Sequence, residues 1–478
     1  MRATFSIAVC LTLSSSVWAQ DAICPADYYP FAVGVEWAYE EDGTVTTEGV
    51  TGIQDGLFVL QDDSGAETFW SSDAEGIKVH KIYLPDQEPE LQWSYFVPPI
   101  TRFPYSMELD VEHEDRGLLD IPGIDDLITY VQFNATFVGF EDRVVGDRTY
   151  PLCAKITTRD ASRSDFMDLG TIARAITTTT EWWAWGIGPV EIQSHVVAWD
   201  FMGGETEEWS TVTLSQCTLI EDNPPLVQVT QPTTEDIYGT AAGSIAISCL
   251  ASDDSRVMKI SWQDDHGHDG LAALNGDWQI ADIPLEAGKN VVTVTAWDSC
   301  GNTSADVLTV YSVSIGDRSP ALCHEGESLN DIQLTGYGFP EDALVELSHN
   351  GQTIAAANVR VSGAGTLLEF DVDLRDSGVC SWDVVLKHSS QIELATLPGC
   401  FRTFSLAVTE VYRTPGFGIT ISWTSIVDRS YQVWAAPTMD GQWELADSIL
   451  SHAETTSWED VSAQDPLQRF YRVTPAPL

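Results

Sequence analysis

The sequence alternates short strand-like runs with turn residues along nearly its whole length, and this pattern most constrains the fold. Runs rich in Val, Ile, Thr and aromatic residues are separated by Gly, Asp, Asn and Pro, which is typical of antiparallel strands joined by turns. Long helical periodicity is hard to find, and the best helical candidate is the short stretch 165–175. The sequence therefore predicts an all-β chain.

The first nineteen residues have the features of a signal peptide. Arg2 supplies the charged start, 5–13 is a short apolar run, and Val17 and Ala19 are the small residues before the cleavage point. The apolar run is too short to span a bilayer. We predict that 1–19 is removed and that the mature chain is secreted, extracellular or periplasmic, without membrane insertion.

The charge of the chain limits its partners. The sequence has 23 Lys and Arg against 72 Asp and Glu, a formal net charge of −49. Binding to nucleic acid needs basic side chains that displace counterions from phosphates, so the charge argues against a nucleic-acid partner, and equally against an anionic membrane surface. It fits a surface protein in salty or calcium-rich surroundings, although solubility alone would account for it as well.

The segment 20–222 carries two motifs at its ends. It opens with CPADYYPFAVGVEWAYE, and its later part has VVGDRTYPLCAKI followed by TEWWAWGIGPVEI. These resemble the YFPL-x-x-G-x-x-W-x-Y opening and the W-x-x-x-G-x-G-x-V pattern of a group of bacterial exported β-sheet proteins. The resemblance implies a strongly curved antiparallel sheet, a half-barrel, over 20–222.

The segment 223–315 contains PPLVQVTQPTTEDIYGTAAGSIAISCLASDDSRVMKISW and IPLEAGKNVVTVTAWDSCGN. It is similar to bacterial Ig-like modules. The residues agree, because apolar side chains alternate onto one face from Ile245 to Cys249 and again from Val292 to Ala296.

Two further modules follow. The segment 316–405 contains LTGYGFPEDALVEL, GTLLEFDVDL and SWDVVL, which resemble IPT/TIG-type Ig-like modules. The segment 406–478 contains GITISWTSIVDRSYQVWAAPTMDGQWELADSI and resembles a fibronectin type III-like module. The resemblances together imply three β-sandwich modules in tandem after the half-barrel.

The sequence contains no recognisable catalytic motif. GxSxG, HExxH, a P-loop and a GxGxxG that opens a helix are all missing from it. The acidic runs at 112–115 and 205–208 offer adjacent carboxylates, but adjacent acids on exposed loops rarely form a catalytic pair, which needs a defined gap and a cleft. We therefore predict no enzymatic activity and no resident cofactor.

Two groups could hold a metal. His266-Gly-His268-Asp269 is dense in ligand-type side chains, but a solvated hairpin tip accounts for it better, because metal ligands must converge from several strands. Asp253 and Asp254 end a predicted strand, and Asp298 lies in the same module. These three are calcium candidates, with ordinary Asx-turn chemistry as the alternative.

The string Trp182-Trp183-Ala184-Trp185 is the most unusual in the chain. On a strand, Trp183 and Trp185 would share one face and Trp182 the other. Aromatic side chains with a polar handle suit sugar or apolar ligands, so Trp183 and Trp185 are ligand candidates; the alternative is that they fill the core of the curved sheet.

Nine cysteines are present, and eight remain once Cys10 leaves with the signal peptide. An even number in an oxidising compartment predicts disulfides. We predict Cys249–Cys300 inside the Ig-like module and Cys380–Cys400 across the last hairpin of the IPT/TIG-like module. The second register also places Lys387 opposite Glu393.

Three functions are compatible with these features. The first is a non-enzymatic adhesion or matrix scaffold with protein or carbohydrate partners at the cell surface. The second is a protein that binds an apolar ligand or a carbohydrate in the N-terminal domain, and a deep pocket there would favour it. The third is a hydrolase, which two convergent titratable groups in one cleft would favour.

Overall fold

A computed structural model describes residues 21–319, 322–375, 377–414, 418–462 and 469–476. The predicted signal peptide lies outside these residues. The described chain is all-β, as predicted, apart from one 3-10 turn at Pro25–Asp27. The stretch with the best helical pattern instead forms a hairpin. Within the described ranges no helix has the length and apolar character needed to cross a membrane.

Twelve antiparallel strands of the N-terminal domain close into a barrel. The N-terminal strands are β1 (Ala22–Ile23), β2 (Glu36–Glu41), β3 (Thr44–Gln54), β4 (Leu57–Asp62), β5 (Glu67–Asp73), β6 (Gly76–Tyr83), β7 (Trp93–Pro104), β8 (Met107–Glu108), β9 (Glu112–Asp120), β10 (Leu127–Val145), β11 (Arg148–Phe166), β12 (Gly170–Ala184), β13 (Gly188–Asp200) and β14 (Glu205–Cys217). Strands β1 and β8 form a separate two-stranded sheet. The predicted half-barrel is a full barrel, because β14 pairs with β2 and β9 pairs with β10.

The opening motif of the domain packs inside the barrel. Tyr28 is buried, and the ring of Tyr29 lies 5.4 Å from the rings of both Trp37 and Trp183. The Phe31 ring stacks on Tyr29 at 5.0 Å. The YYPF segment therefore packs inside the barrel before β2 begins, which explains why aromatic residues are concentrated there.

The two ends of the barrel have different surroundings. At one end, Arg148 donates to the Cys300 carbonyl at 3.0 Å, and the Arg256 guanidinium lies 3.8 Å from the Trp185 ring, so this end docks on the second module. The turns after β11 and β13 lie at the opposite end, which we call the distal end. Their apolar side chains are highly exposed, at 68% to 82%: Met167, Leu169, Phe201 and Met202.

The second module is a sandwich of a four-stranded and a five-stranded sheet. Its strands are β15 (Leu226–Gln231), β16 (Ile237–Thr240), β17 (Ser244–Ser252), β18 (Val257–Asp264), β19 (Asp269–Leu271), β20 (Ala273–Asn275), β21 (Asp277–Pro284), β22 (Gly288–Asp298) and β23 (Thr303–Ser312). The predicted alternation is confirmed, because the residues from Ile245 to Cys249 and from Val292 to Ala296 that share a face pack in one core. Strands β16 and β23 pair in parallel, and the other ladders are antiparallel.

The third and fourth modules are also sandwiches. The third contains β24 (Ser314–Ser319), β25 (Leu322–His324), β26 (Ser328–Tyr337), β27 (Leu344–His349), β28 (Gln352–Ala355), β29 (Ala357–Ser362), β30 (Leu367–Asp373), β31 (Ser381–Lys387) and β32 (Glu393–Phe404). The fourth contains β33 (Val408–Thr414), β34 (Gly418–Thr424), β35 (Ser430–Ala436), β36 (Glu444–Leu450), β37 (Thr455–Asp460) and β38 (Phe470–Pro475). Again one parallel pair, β25 with β32, joins early and late strands of the third module.

The modules pack closely against one another. The backbone at Gly338 passes so near Ser312 that any Cβ there would overlap the Ser312 carbonyl. At the next junction, buried His324 and the Tyr431 hydroxyl are hydrogen-bonded at 2.7 Å, and Arg429 pairs with Glu327 at 2.6 Å. Close backbone approach and buried polar pairs therefore fix how successive modules meet.

The predicted Cys249–Cys300 disulfide is wrong, because both residues are free thiols. Cys249 belongs to the sandwich core, whereas Cys300 packs with Cys153 and Cys217 in the barrel core. The prediction carried strand alternation past Asp298, where β22 ends; the chain then turns out of the sandwich and into the barrel junction. Burial raises the pKa of Cys300 to about 11 and that of Cys249 to about 12.

The predicted Cys380–Cys400 disulfide is also wrong, although part of its register is confirmed. Lys387 does lie opposite Glu393. Two irregularities, between Lys387 and Leu386 and between Val384 and Trp382, then shift the ladder. Cys380 consequently lies beside Thr403, whose amide donates to the Cys380 carbonyl at 2.9 Å. Cys380 is a free thiol; the side chain of Cys400 lies outside the described part of the chain.

Candidate functional site

The interior of the barrel contains a cavity of about 260 Å³. Half of the residues in its wall are aromatic, and three are charged. The lining residues are Tyr29, Phe31, Tyr39, Glu48, Trp70, Ile77, Arg102, Phe103, Glu181, Trp183, Pro189 and Ile192. Small ligands bind in concave sites of this composition, apolar with a few polar groups that fix orientation.

Two carboxyl groups enter the cavity from different strands. Glu48 lies on β3 opposite Trp37, and Glu181 lies on β12 between Ile156 and Ile192 of the neighbouring strands. Side chains at every second position of a strand share a face, so Glu181 and Trp183 both point inward. The barrel therefore brings together two carboxylates that are far apart in the sequence.

Aromatic donors hold both carboxyl groups in place. The Tyr29 hydroxyl donates to Glu48 Oε1 at 3.2 Å, and Trp183 Nε1 donates to Glu181 Oε2 at 2.6 Å. Trp183 itself is fully buried and meets the Phe103 ring edge-on, with 4.6 Å between ring centroids. In each carboxyl group, the second oxygen accepts no hydrogen bond from Tyr29 or Trp183.

Burial raises the pKa of both carboxyl groups. For Glu48 the loss of hydration raises the pKa, and the Tyr29 hydrogen bond opposes this in part. For Glu181 burial is again the largest cause; the Trp183 hydrogen bond and the charge of Arg102 lower the pKa, and the charge of Glu48 raises it. The cavity therefore favours the protonated form of these acids more than water does.

Arg102 adds a cation to the wall. Its Nη1 donates to Asp160 at 2.8 Å, and its guanidinium lies 3.9 Å from the Phe133 ring centroid. Arg102 Nε and Asp160 Oδ1 are buried and have no hydrogen-bond partner in the part of the chain that the structure describes. Because Arg102 lines the cavity, its open Nε donor fits a polar ligand or ordered water there.

The inner face of β12 leads from the cavity toward the distal end. Beyond Glu181 it carries Thr179, Thr177 and Ala175, then Ala173, all small. Thr179 is buried, the next two are half-buried, and Ala173 is exposed. Small side chains therefore cover the inner face of β12 between Glu181 and the distal end.

One of the two tryptophans predicted as ligand candidates lies in the wall of the cavity, and its role in binding stays a prediction. Trp183 lines the cavity, but Trp185 does not, because β12 ends at Ala184 and the chain turns there. Trp185 packs against Tyr28 at 5.1 Å and against Arg256 of the second module. Glu181 was missed, although its spacing from Trp183 could have placed it on the same face.

The acidic runs lie apart from the cavity and on strands rather than on loops. Glu112 to Asp115 belong to β9, where Asp115 accepts the Thr101 amide at 2.7 Å. Residues 205–208 begin β14, and Glu207 pairs with His195 at 2.8 Å. In the predicted histidine tip, His268 bonds Asp264 at 2.7 Å, which is a local turn contact.

The calcium candidates converge at the junction of barrel and second module. Ligand atoms of Glu221, Asp253 and Asp254 lie within 4.8 Å of one another, as do those of Glu221, Asp298 and Cys300. Burial, followed by the charges of Glu221 and Asp253, raises the pKa of Asp298, whose oxygens accept two bonds from Asn302 at 2.8 Å. The sequence missed Glu221, which the linker supplies.

Neither a protein-family model nor a curated protein matches this chain. Matching solved structures include fibronectin(III)-like modules of Clostridium thermocellum CbhA, at 17% identity over 39% of this chain and 85% of that one, with a TM-score of 0.19. A Ca²⁺-stabilized adhesin of an Antarctic bacterium that binds ice matches at 14% identity over 67% and 93%, TM-score 0.17. A Bacteroides ovatus mixed-linkage glucan utilization protein, SGBP-B, matches at 11% identity over 63% and 86%, TM-score 0.15.

These matched chains are fibronectin III-like modules, adhesins and a glucan-utilization protein, and others carry Ig domains. At such TM-scores they carry no conclusion about the function of this chain. The resemblance of the N-terminal motifs to the exported YFPL-type proteins stays a prediction.

Proposed function

We propose that this chain is a modular binding protein whose barrel takes a small ligand in its interior cavity. The three sandwiches act as spacers and offer surface to protein or carbohydrate partners outside the cytoplasm. Export rests on the predicted signal peptide at 1–19. The observation that carries the proposal is the aromatic cavity with Glu48 and Glu181 inside it.

The chemistry of the wall defines the ligand class. Aromatic faces suit the apolar side of a flat ring, and carboxyl oxygens accept hydrogen bonds from hydroxyl groups. Arg102 Nε offers one further donor. We infer a small hydroxylated ligand with an apolar face, of which a monosaccharide is the simplest kind.

Calorimetric titration of the full mature chain with a panel of monosaccharides and small cyclic alcohols tests this proposal. We expect at least one of these compounds to bind. E181Q should weaken binding by about tenfold, since it replaces an acceptor oxygen with an amide nitrogen, and a buried ligand donor left unpaired costs roughly 1–3 kcal/mol. E205Q on the exposed start of β14 is the matched control and should bind normally. Equal binding by E181Q and wild type would show that the cavity is not the site.

A second candidate function is hydrolysis in the same cavity, favoured by the two convergent carboxyl groups. One acid with a raised pKa beside a second carboxylate can divide acid and base roles. Turnover of an aryl glycoside that E48Q and E181Q both abolish, while E205Q retains it, would establish the enzyme. If the wild type binds the glycoside but does not turn it over, the hydrolase function is excluded and the binding function stands.

A further inference from the structure

We propose a second, separate binding site for acidic oligosaccharides on the distal half of the barrel, independent of the interior cavity. A cleft of about 920 Å³ lies across β10 to β13 there. Its lining includes Arg116, Arg163 and Arg174, in a chain that has only 23 Lys and Arg. The site is defined by one row of side chains across these four strands.

The row follows from the strand register. Tyr130 lies directly opposite Arg163, Arg163 opposite Arg174, and Arg174 opposite Trp199. Directly opposed residues of antiparallel strands project from the same face, so two guanidinium groups stand between two aromatic rings. With strands about 4.8 Å apart, the row is about 14 Å long.

Arg163 and Arg174 place two positive charges directly opposite each other on neighbouring strands. Like charges directly opposite each other destabilise a sheet. Arg163 is relieved in part by Asp165 on its own strand, at 3.1 Å, and by the Tyr130 ring at 4.6 Å. The Arg174 guanidinium forms no ion pair or side-chain hydrogen bond with any residue that the structure describes. An anion bridging the pair would remove the repulsion.

The flanking rings specify more than an anion. Tyr130 and Trp199 both line the cleft, and neither is fully buried: Tyr130 is 41% exposed and Trp199 is half-buried. Aromatic faces pack against the apolar faces of sugar rings, and a guanidinium binds a carboxylate through two parallel hydrogen bonds. A linear chain of uronate rings lying across the strands would meet aromatic, arginine, arginine and aromatic side chains in turn.

The negative charge of the rest of the protein confines the binding of an anionic ligand to this row of side chains. With a net charge of −49, most of the surface repels a polyanion. Glu114 pairs with Arg116 at 2.5 Å at one side of the cleft, and Glu205 faces Trp199 at the other. The central Arg163–Arg174 pair is therefore the place where an anionic ligand gains most.

Calorimetric titration of the full mature chain with tetragalacturonate, cellotetraose, galacturonate and sulfate tests the proposal. We expect the acidic tetramer to bind at least about tenfold more tightly than the neutral tetramer, the acidic monomer or sulfate. R163Q/R174Q should lose at least about tenfold in affinity and reduce the salt dependence of binding. R159Q removes the same charge from the same face of β11 outside the cleft lining, and should change neither.

Two further measurements distinguish this site from the interior cavity and from a loss of folding. The melting temperature of R174Q without ligand should equal or exceed that of the wild type, because one member of a repelling pair is gone. E181Q should bind the acidic tetramer normally, even if it fails to bind a monosaccharide. The proposal would be overturned if the acidic tetramer bound no more tightly than the neutral tetramer or than sulfate. It would also be overturned if R163Q/R174Q bound the acidic tetramer as the wild type does, or if R174Q melted at a lower temperature than the wild type.

Discussion

Burial of the two cavity carboxyl groups, Glu48 and Glu181, has a cost to the stability of the folded state. Because burial raises the pKa of Glu181, the folded state holds its proton more tightly than the unfolded state, whose pKa is near 4.5. Stability is therefore lost as the pH rises from there through the raised pKa, and is recovered on acidification.

E181Q tests this at the residue scale. A glutamine has no charge to desolvate, and Trp183 can still donate to its amide oxygen. We expect E181Q to melt at a higher temperature than the wild type at about pH 8, with the difference shrinking toward about pH 5. E205Q, which is exposed, should match the wild type at both. A difference that is constant or negative across this range would contradict the argument.

Some residues of the cavity could be predicted from the sequence and others could not. Trp183 stood out as a ligand candidate because it belongs to a rare aromatic string, and strand parity puts Glu181 beside it. Glu48 has no such signal. Its inward direction depends on the pairing of β3 with β2 and of β2 with β14, which only a closed sheet establishes.

At the scale of elements, Gly338 shows how closely the sandwiches are joined. It has a φ of +75°, and a Cβ there would overlap the Ser312 carbonyl and come within 2.8 Å of the Gly288 amide nitrogen. We expect G338A to lower the free energy of unfolding by about 2 kcal/mol or more. Urea unfolding measures this. Gly351 has a φ of +82° with open space around it, so G351A reports the backbone strain alone and should cost less.

The junction between barrel and second module allows a test of the calcium prediction. If Glu221, Asp253 and Asp254 share a cation, its binding should relieve their mutual repulsion and stabilise the folded junction. We expect millimolar Ca²⁺ to raise the melting temperature above that in NaCl of equal ionic strength, and D253N/D254N to abolish the excess. An equal rise in melting temperature in both salts would show that ionic screening, and not calcium binding, stabilises the junction.

Strand pairing shows how far sequence patterns reach at this scale. Local alternation correctly placed the core faces of β17 and β22 and the Lys387–Glu393 pair. It failed for Cys380, because two irregularities between Lys387 and Trp382 shift the ladder, and for Cys300, because β22 ends before it. Bulges and strand ends depend on tertiary contacts that period-two alternation does not contain.

For the whole molecule, the dominant quantity is the net charge of −49. Repulsion among surface carboxylates is weakly screened at about 0.01 M salt, where the Debye length reaches about 30 Å. We therefore expect the melting temperature to rise between about 0.01 M and about 0.15 M NaCl. Thermal melts in a series of NaCl concentrations measure it, and a flat midpoint would contradict the expectation.

The parallel pairs β16–β23 and β25–β32 have a consequence for a chain pulled from its two ends. Each joins a strand near the entry of a sandwich to its last strand, through four and three residue partners respectively. Tension applied along the chain slides such strands past each other, so their backbone bonds must break together, whereas an antiparallel hairpin pulled at its open end unzips one bond at a time. In single-molecule stretching, we expect a proline at Tyr238 in β16 to lower the force at which the second module gives way, since proline removes a ladder donor. These two parallel pairs therefore give the chain mechanical resistance to tension between its ends.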